Sequence, residues 1–169
     1  DLVTYGKIAG GGLPIGIVAG RAPFMDGIDG GLWEYGDASY PRAETTYFGG
    51  TFCQHPLAMA SARAVLSHLK ERGPSLQSEL NERTSRFAAT LNEYFAREET
   101  PVRVVHFGSL FRFNYTGNMD LLFYHLLTKG VYVWEWRNCF LSTAHTDEDL
   151  AHVTSAVTES VEEMRAGGF

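Results

Sequence analysis

Cysteine is scarce, basic residues are outnumbered, and no long apolar run is present. The two cysteines are Cys53 and Cys139. Neither stands in a C-x-x-C pair or beside a histidine at metal-ligand spacing, which excludes a disulfide framework and argues against zinc. Lys plus Arg number 14 against 20 Asp plus Glu, a formal charge of −6. The basic face that phosphate backbones require is missing, so nucleic acid is not the expected partner. No stretch approaches the ~18–20 consecutive apolar residues of a membrane span, and no charged-then-apolar leader opens the chain. The expectation is a soluble, cytoplasmic protein with reduced thiols.

What is present suits an ordered chain. Of 169 residues, 44% are hydrophobic, 13% aromatic and 20% charged, a balance unlike that of disordered segments. The length fits one domain, or a larger one cut short. Residues 1–20 are glycine-rich but apolar between the glycines, with Leu2–Tyr5 and Ile15–Val18 reading as strands. From Ala22 to Tyr47 the chain is turn-rich and aromatic, and a stretch of little periodicity this long reads as a functional loop.

Helices follow. Pro56 suits a first helical position, Leu57–Arg72 is rich in helix formers, and Gly73-Pro74 closes the segment. A second helix is predicted over about Ser75–Arg97, with Leu76, Leu80, Phe87, Leu91 and Phe95 forming one stripe. The last third reads as a small α/β unit. Strands are predicted over Val102–Phe107, Leu110–Tyr115, Val131–Trp134 and Cys139–Ser142, with an Asn118-capped helix over Asp120–Lys129. Thr146 opens a final helix whose first turn carries Asp147, Glu148 and Asp149.

Two phosphate-binding motifs are excluded. Gly6-Lys7 lacks the following Ser or Thr of a P-loop. Gly10-x-Gly12-x-x-x-Gly16 imitates a dinucleotide fingerprint, but Pro14 falls where the helix should begin. Lys7 itself lies between an apolar strand and the triple glycine Gly10–Gly12. Partial desolvation there would favour the free amine, which can attack a carbonyl; a surface lysine on a glycine loop is the other reading.

The wider pattern selects between them. DLVTYGKIAGGGLPIGIVAGR resembles the lysine segment of class III aminotransferases, particularly the glutamate-1-semialdehyde aminomutase group. Tyr47–Phe52 running into His55–Ala60 is similar to that family's second signature, and Gly130–Tyr132 with Phe140–Thr146 to its C-terminal strand pair. The stretches Phe24–Tyr40, Val104–Phe113 and Trp134–Thr146 further resemble the aminotransferase domains of modular polyketide and nonribosomal-peptide synthetases.

The resemblance implies an α/β chain, the C-terminal part of the fold-type I pyridoxal-phosphate transferase fold. Residues 1–72 would belong to the large cofactor-binding domain, 73–98 to a connecting helix, and 99–169 to a small C-terminal α/β domain. It implies pyridoxal 5'-phosphate as cofactor, joined to Lys7 as an imine, with Lys7 then moving the substrate proton. Thr51 would donate its hydroxyl to the cofactor phosphate across a dimer interface, with Gly50 and Gly49 permitting close backbone approach. A homodimer, an amino-acid donor and a carrier-protein-bound β-ketoacyl acceptor are the implied partners. The phosphate loop, the ring stacked on the pyridine and its aspartate would lie upstream of Asp1.

Other candidates keep two readings. Arg137 would clamp a donor carboxylate or pair with Glu135. Tyr40 and Trp33 would line an acyl channel or pack locally, and His145 reads as structural. A true aminomutase, an inactive dimerisation or docking fragment, and a nicotinamide-dependent dehydrogenase are the alternatives.

Overall fold

The computed structural model describes residues 1–169, and the chain divides into two compact units, Asp1–Gly73 and Pro74–Phe169. In the first, β1 (Leu2–Gly6) pairs antiparallel with β2 (Gly16–Gly20) in the register Leu2↔Gly20 to Gly6↔Gly16. Their connection carries a 3-10 turn over Lys7–Gly10, ended by Gly11 in the left-handed conformation. Helices α1 (Ala22–Asp29) and α2 (Pro56–Arg72) complete the unit.

The triple glycine has a packing reason. A Cβ on Gly10 would fall 2.8 Å from Ile15 Cγ2, and one on Gly11 would fall 2.6 Å from Ser61 Oγ and 2.8 Å from Val65 Cγ2. Bare backbone therefore lets the turn settle onto α2, where Ser61 Oγ donates to the Gly10 carbonyl at 2.9 Å. Small residues on that helix complete the fit: Ala58 and Ala62 are buried there, with Ala9 facing from the turn. The unit's larger apolar side chains, including Leu2, Tyr5, Ile8, Phe52 and Leu57, are exposed.

Helix α1 was not expected, because Ala22–Asp29 lies within the segment read as loop. Pro23 sits in the first turn, where its missing N–H costs nothing, and Gly30 ends the helix at φ 85. Eight residues give too little periodicity to stand out from a turn-rich neighbourhood.

The second unit is a two-layer α/β structure. Strands β3 (Val102–Phe107), β4 (Leu110–Tyr115) and β5 (Cys139–Phe140) form an antiparallel sheet in the order β3-β4-β5. Helices α3 (Ser75–Arg97), α4 (Asp120–Thr128) and α5 (Asp147–Ala166) join one of its faces in a single core. Leu91, Phe95, Leu122, Leu126 and Val157 are completely or almost completely buried there. Helix α3, expected as a connector, packs its buried stripe within this unit.

Two local devices hold the unit. Asn92 on α3 satisfies the free edge of β3, donating from Nδ2 to the Val104 carbonyl at 2.9 Å and accepting the Val104 N–H at Oδ1 at 2.7 Å. At the start of α5, Thr146 and Asp149 form a reciprocal capping box. The N-cap of α4 is Met119 rather than the expected Asn118, which stands one residue earlier with its Oδ1 accepting the Asp120 N–H at 3.1 Å.

The expected strand over Val131–Trp134 does not form, and Cys139–Ser142 contracts to Cys139–Phe140. The Val131 N–H is drawn back to the Leu126 carbonyl at 2.8 Å in the helix-ending turn. Trp136 then adopts φ 58, which breaks an extended path before β5 begins.

Candidate functional site

Lys7 occupies a special backbone position. It opens the 3-10 turn with φ 48, a left-handed value that costs a residue with a Cβ about 1–2 kcal/mol. Such strain persists where surrounding structure over-determines it and clusters at functional positions. Here the determinants are the β1–β2 register on one side and the glycine turn seated on α2 on the other. The side chain is exposed, so the desolvation expected from its apolar neighbours is not supplied by these residues. No hydrogen bond or carboxylate engages its amine.

Thr51 and Gly50 stand elsewhere in the same unit. They line an open cleft of about 1060 Å³ between β2, the Gly50–His55 turn and one face of α2. Its walls are mostly apolar, from Ile15, Val18, Phe48, Phe52 and Leu66, with Arg63 and Lys70 adding positive charge. The Cys53 N–H donates to the Gly50 carbonyl at 3.0 Å, which closes the turn and leaves the Thr51 hydroxyl unengaged. A Cβ on Gly50 would lie 3.3 Å from Cys53 Sγ, so glycine keeps the turn tight. Lys7 does not line this cleft: one chain does not bring Lys7 and Thr51 into a common pocket.

The remaining candidates resolve individually. The Arg137 guanidinium lies 4.9 Å from the Trp134 ring centroid and makes no ion pair with Glu135. Tyr40 is exposed, with the Arg42 guanidinium 5.7 Å over its ring. Trp33 donates its indole N–H to the Asp29 carbonyl at 2.6 Å, which is local packing at the end of α1. His145 Nδ1 accepts the Ser142 N–H at 3.0 Å, while its carbonyl accepts from Arg83 at 3.0 Å. It is a structural histidine. Burial pushes the Cys139 thiol up from its ordinary value, which disfavours the thiolate a nucleophile needs.

Ser61 escaped the sequence reading although it holds the turn behind Lys7. The available signal was the small-residue spacing Ala58, Ser61, Ala62 on α2, which allows close approach of another backbone.

In the first unit Lys7 follows β1 directly and opens a glycine turn seated on α2, and solved pyridoxal-phosphate transaminases share the fold of the chain. The β-phenylalanine aminotransferase from Variovorax paradoxus superposes with a TM-score of 0.80 at 28% identity, over 98% of this chain and 39% of that one. A transaminase solved with PLP bound gives 0.79 at 23% identity, over 99% and 39%. The aminotransferase class-III family model matches residues 1–159, and the chain belongs to that family. A glutamate-1-semialdehyde 2,1-aminomutase of Alkaliphilus oremlandii is 34% identical over 98% of this chain and 39% of its own length. One of Archaeoglobus fulgidus is 30% identical over 95% and 39%. The chain thus spans about two fifths of the length of the relatives it matches. None of its helices is long and apolar enough to cross a membrane.

Proposed function

We propose that the protein carrying this chain is a pyridoxal 5'-phosphate-dependent transaminase that moves an amino group from an amino-acid donor to a keto acceptor. The observation that carries this reading is Lys7, an unpaired amine at a strained φ of 48, anchored behind by bare glycine backbone on α2, in a chain of the class-III family.

The residues present fit the cofactor in two places. Lys7 offers an accessible amine for its aldehyde, and the tight Gly50-Thr51 turn offers an uncommitted hydroxyl for its phosphate. Bound cofactor would supply an electron sink at the carbon that loses its proton. Lys7 Nζ would take that proton from the substrate carbon and return it at the cofactor's aldehyde carbon, a transfer within reach of one flexible side chain. Thr51 Oγ1 would donate to a phosphate oxygen, with Gly50 keeping the backbone close. The family resemblance implies a homodimer in which Thr51 of each subunit completes its partner's site, and the lack of a common pocket for Thr51 and Lys7 in one chain supports that reading. Arg137, free of any acidic partner, would hold the donor carboxylate, and Tyr40 would border the acceptor's path.

The finer reading is that the acceptor is a β-ketoacyl chain on a carrier protein and that the enzyme is cytoplasmic. The carrier-protein acceptor rests on the segments Phe24–Tyr40, Val104–Phe113 and Trp134–Thr146, and the compartment on the lone, unpaired Cys53 and Cys139. A second reading, an aminomutase that isomerises a small amino-aldehyde, is favoured by the names of the curated relatives. Only a transaminase needs an external donor, so turnover with and without added amino acid separates the two.

Borohydride reduction of the full-length, cofactor-loaded protein is the test of the site. It should fix the cofactor covalently to Lys7, read by peptide mass; an unmodified Lys7 after reduction eliminates the proposal.

A further inference from the structure

The face of the second unit's sheet that points away from its helices carries an unneutralised cationic pair beside an apolar strip. The register sets Arg103 opposite Asn114, Val105 opposite Arg112 and Phe107 opposite Leu110, all on this face. Leu110 is in turn opposite Phe140 on β5. Arg103 and Arg112 are therefore diagonal neighbours, with Cα atoms on the order of 7–8 Å apart. Two cations on neighbouring strands of one face concentrate positive charge there.

Neither forms an ion pair within the chain. Of the arginines in this unit, Arg83, Arg86, Arg97 and Arg165 each pair with a carboxylate, whereas Arg103, Arg112 and Arg137 do not, and of these three only Arg103 and Arg112 share a sheet face. Arg112 Nε is buried without a hydrogen-bond partner. Its guanidinium is held 5.8 Å from the Trp136 ring centroid, and Trp136 is itself pinned by Tyr115, whose ring is 4.3 Å away. An indole platform presents the guanidinium in a fixed orientation, which lowers the entropic cost of a bidentate contact. One step further along the same face, Val105, Phe107 and Phe140 are exposed at 42%, 87% and 60%. Leu110 precedes Arg112 by two residues, about 7 Å along the strand.

We propose that this sheet face binds a phosphate monoester bearing an apolar chain, with the phosphate between Arg103 and Arg112 and the chain across Val105, Leu110, Phe107 and Phe140. Charge selects the headgroup. Two guanidiniums match a phosphate monoester, which carries about −1.5 to −2 at neutral pH, better than a singly charged carboxylate. The apolar strip selects the tail, because each buried methylene contributes about 0.8 kcal/mol. The site is independent of Lys7, and the inference goes beyond the transaminase reading without resting on it.

Calorimetric titration of the full-length protein tests it, using octyl phosphate at concentrations where it is monomeric, with octanoate and inorganic phosphate as the other arms. Octyl phosphate should bind saturably at one site per chain, at least tenfold more tightly than either fragment of its chemistry. Arg103→Gln and Arg112→Gln should each weaken it at least tenfold. Should Arg112→Gln fail to fold, Arg103→Gln, on an exposed side chain, decides alone. Absence of saturable binding overturns the proposal, as does unchanged affinity in a folded variant, or octanoate or inorganic phosphate binding as tightly as octyl phosphate.

Discussion

Replacing Gly11 by alanine probes the contact that holds Lys7 in place, and Gly12 provides its internal control. Both glycines have positive φ, 57 at Gly11 and 92 at Gly12, so alanine at either position costs about 1–2 kcal/mol of backbone strain. They differ in what the new methyl meets. At Gly12 nothing lies within 4 Å, whereas at Gly11 it would press on Ser61 Oγ at 2.6 Å and Val65 Cγ2 at 2.8 Å. Relieving that overlap means moving the turn off α2, at an overpacking cost of about 1–3 kcal/mol. Gly11→Ala should therefore destabilise the protein by about 1–3 kcal/mol more than Gly12→Ala in urea unfolding. The loss should be accompanied by slower borohydride-trapped labelling of Lys7, because its backbone is positioned by the same turn. Equal unfolding free energies for the two variants, within about 0.5 kcal/mol, would refute the close-approach account.

Asn92→Ala removes both partners of Val104 on the β3 edge, and at about 1 kcal/mol per hydrogen bond it should cost about 2 kcal/mol, with faster hydrogen exchange at the Val104 amide. The Thr146 hydroxyl and backbone N–H hold the Asp149 carboxyl below its ordinary value of 3.8, so its contribution to the α5 cap is present above that pH and lost as pH falls through the depressed value. Helix α5 should accordingly fray from its N-terminus in acid, seen as loss of amide protection there, and Asp149→Asn should remove that pH dependence. Thr51→Val keeps the shape of the turn but deletes a donor to a charged oxygen, so cofactor affinity measured by fluorescence titration should fall about 10–100-fold.

Periodicity and punctuation revealed most of the local structure. Pro56 at a helix start and the acidic first turn after Thr146 each act through neighbours in sequence and appear where expected; of the α3 stripe, Phe87, Leu91 and Phe95 are buried and Leu80 packs against the core, while Leu76 stays outside it. Helix α1 and the missing Val131–Trp134 strand were illegible for a common reason. Eight residues are too few to show a period, and a strand needs an available edge as well as a β-prone composition. The Lys7 segment could be picked out because glycines cluster beside it, yet the lysine's exposure could not. Burial depends on which surfaces cover it, and these residues do not.

Local chemistry along the chain determines the helices and their punctuation, such as Pro56 at the start of α2 and the Thr146–Asp149 capping box of α5, since each rests on residues within a few positions of one another. Tertiary structure decides what those residues face. Only packing brings Ser61 to the Gly10 carbonyl and Asn92 to the edge of β3, places Thr51 in a cleft without Lys7, and leaves Arg103 and Arg112 adjacent and unneutralised. These contacts join residues distant in the chain, and their free energy depends on geometry that no local pattern of amino acids encodes.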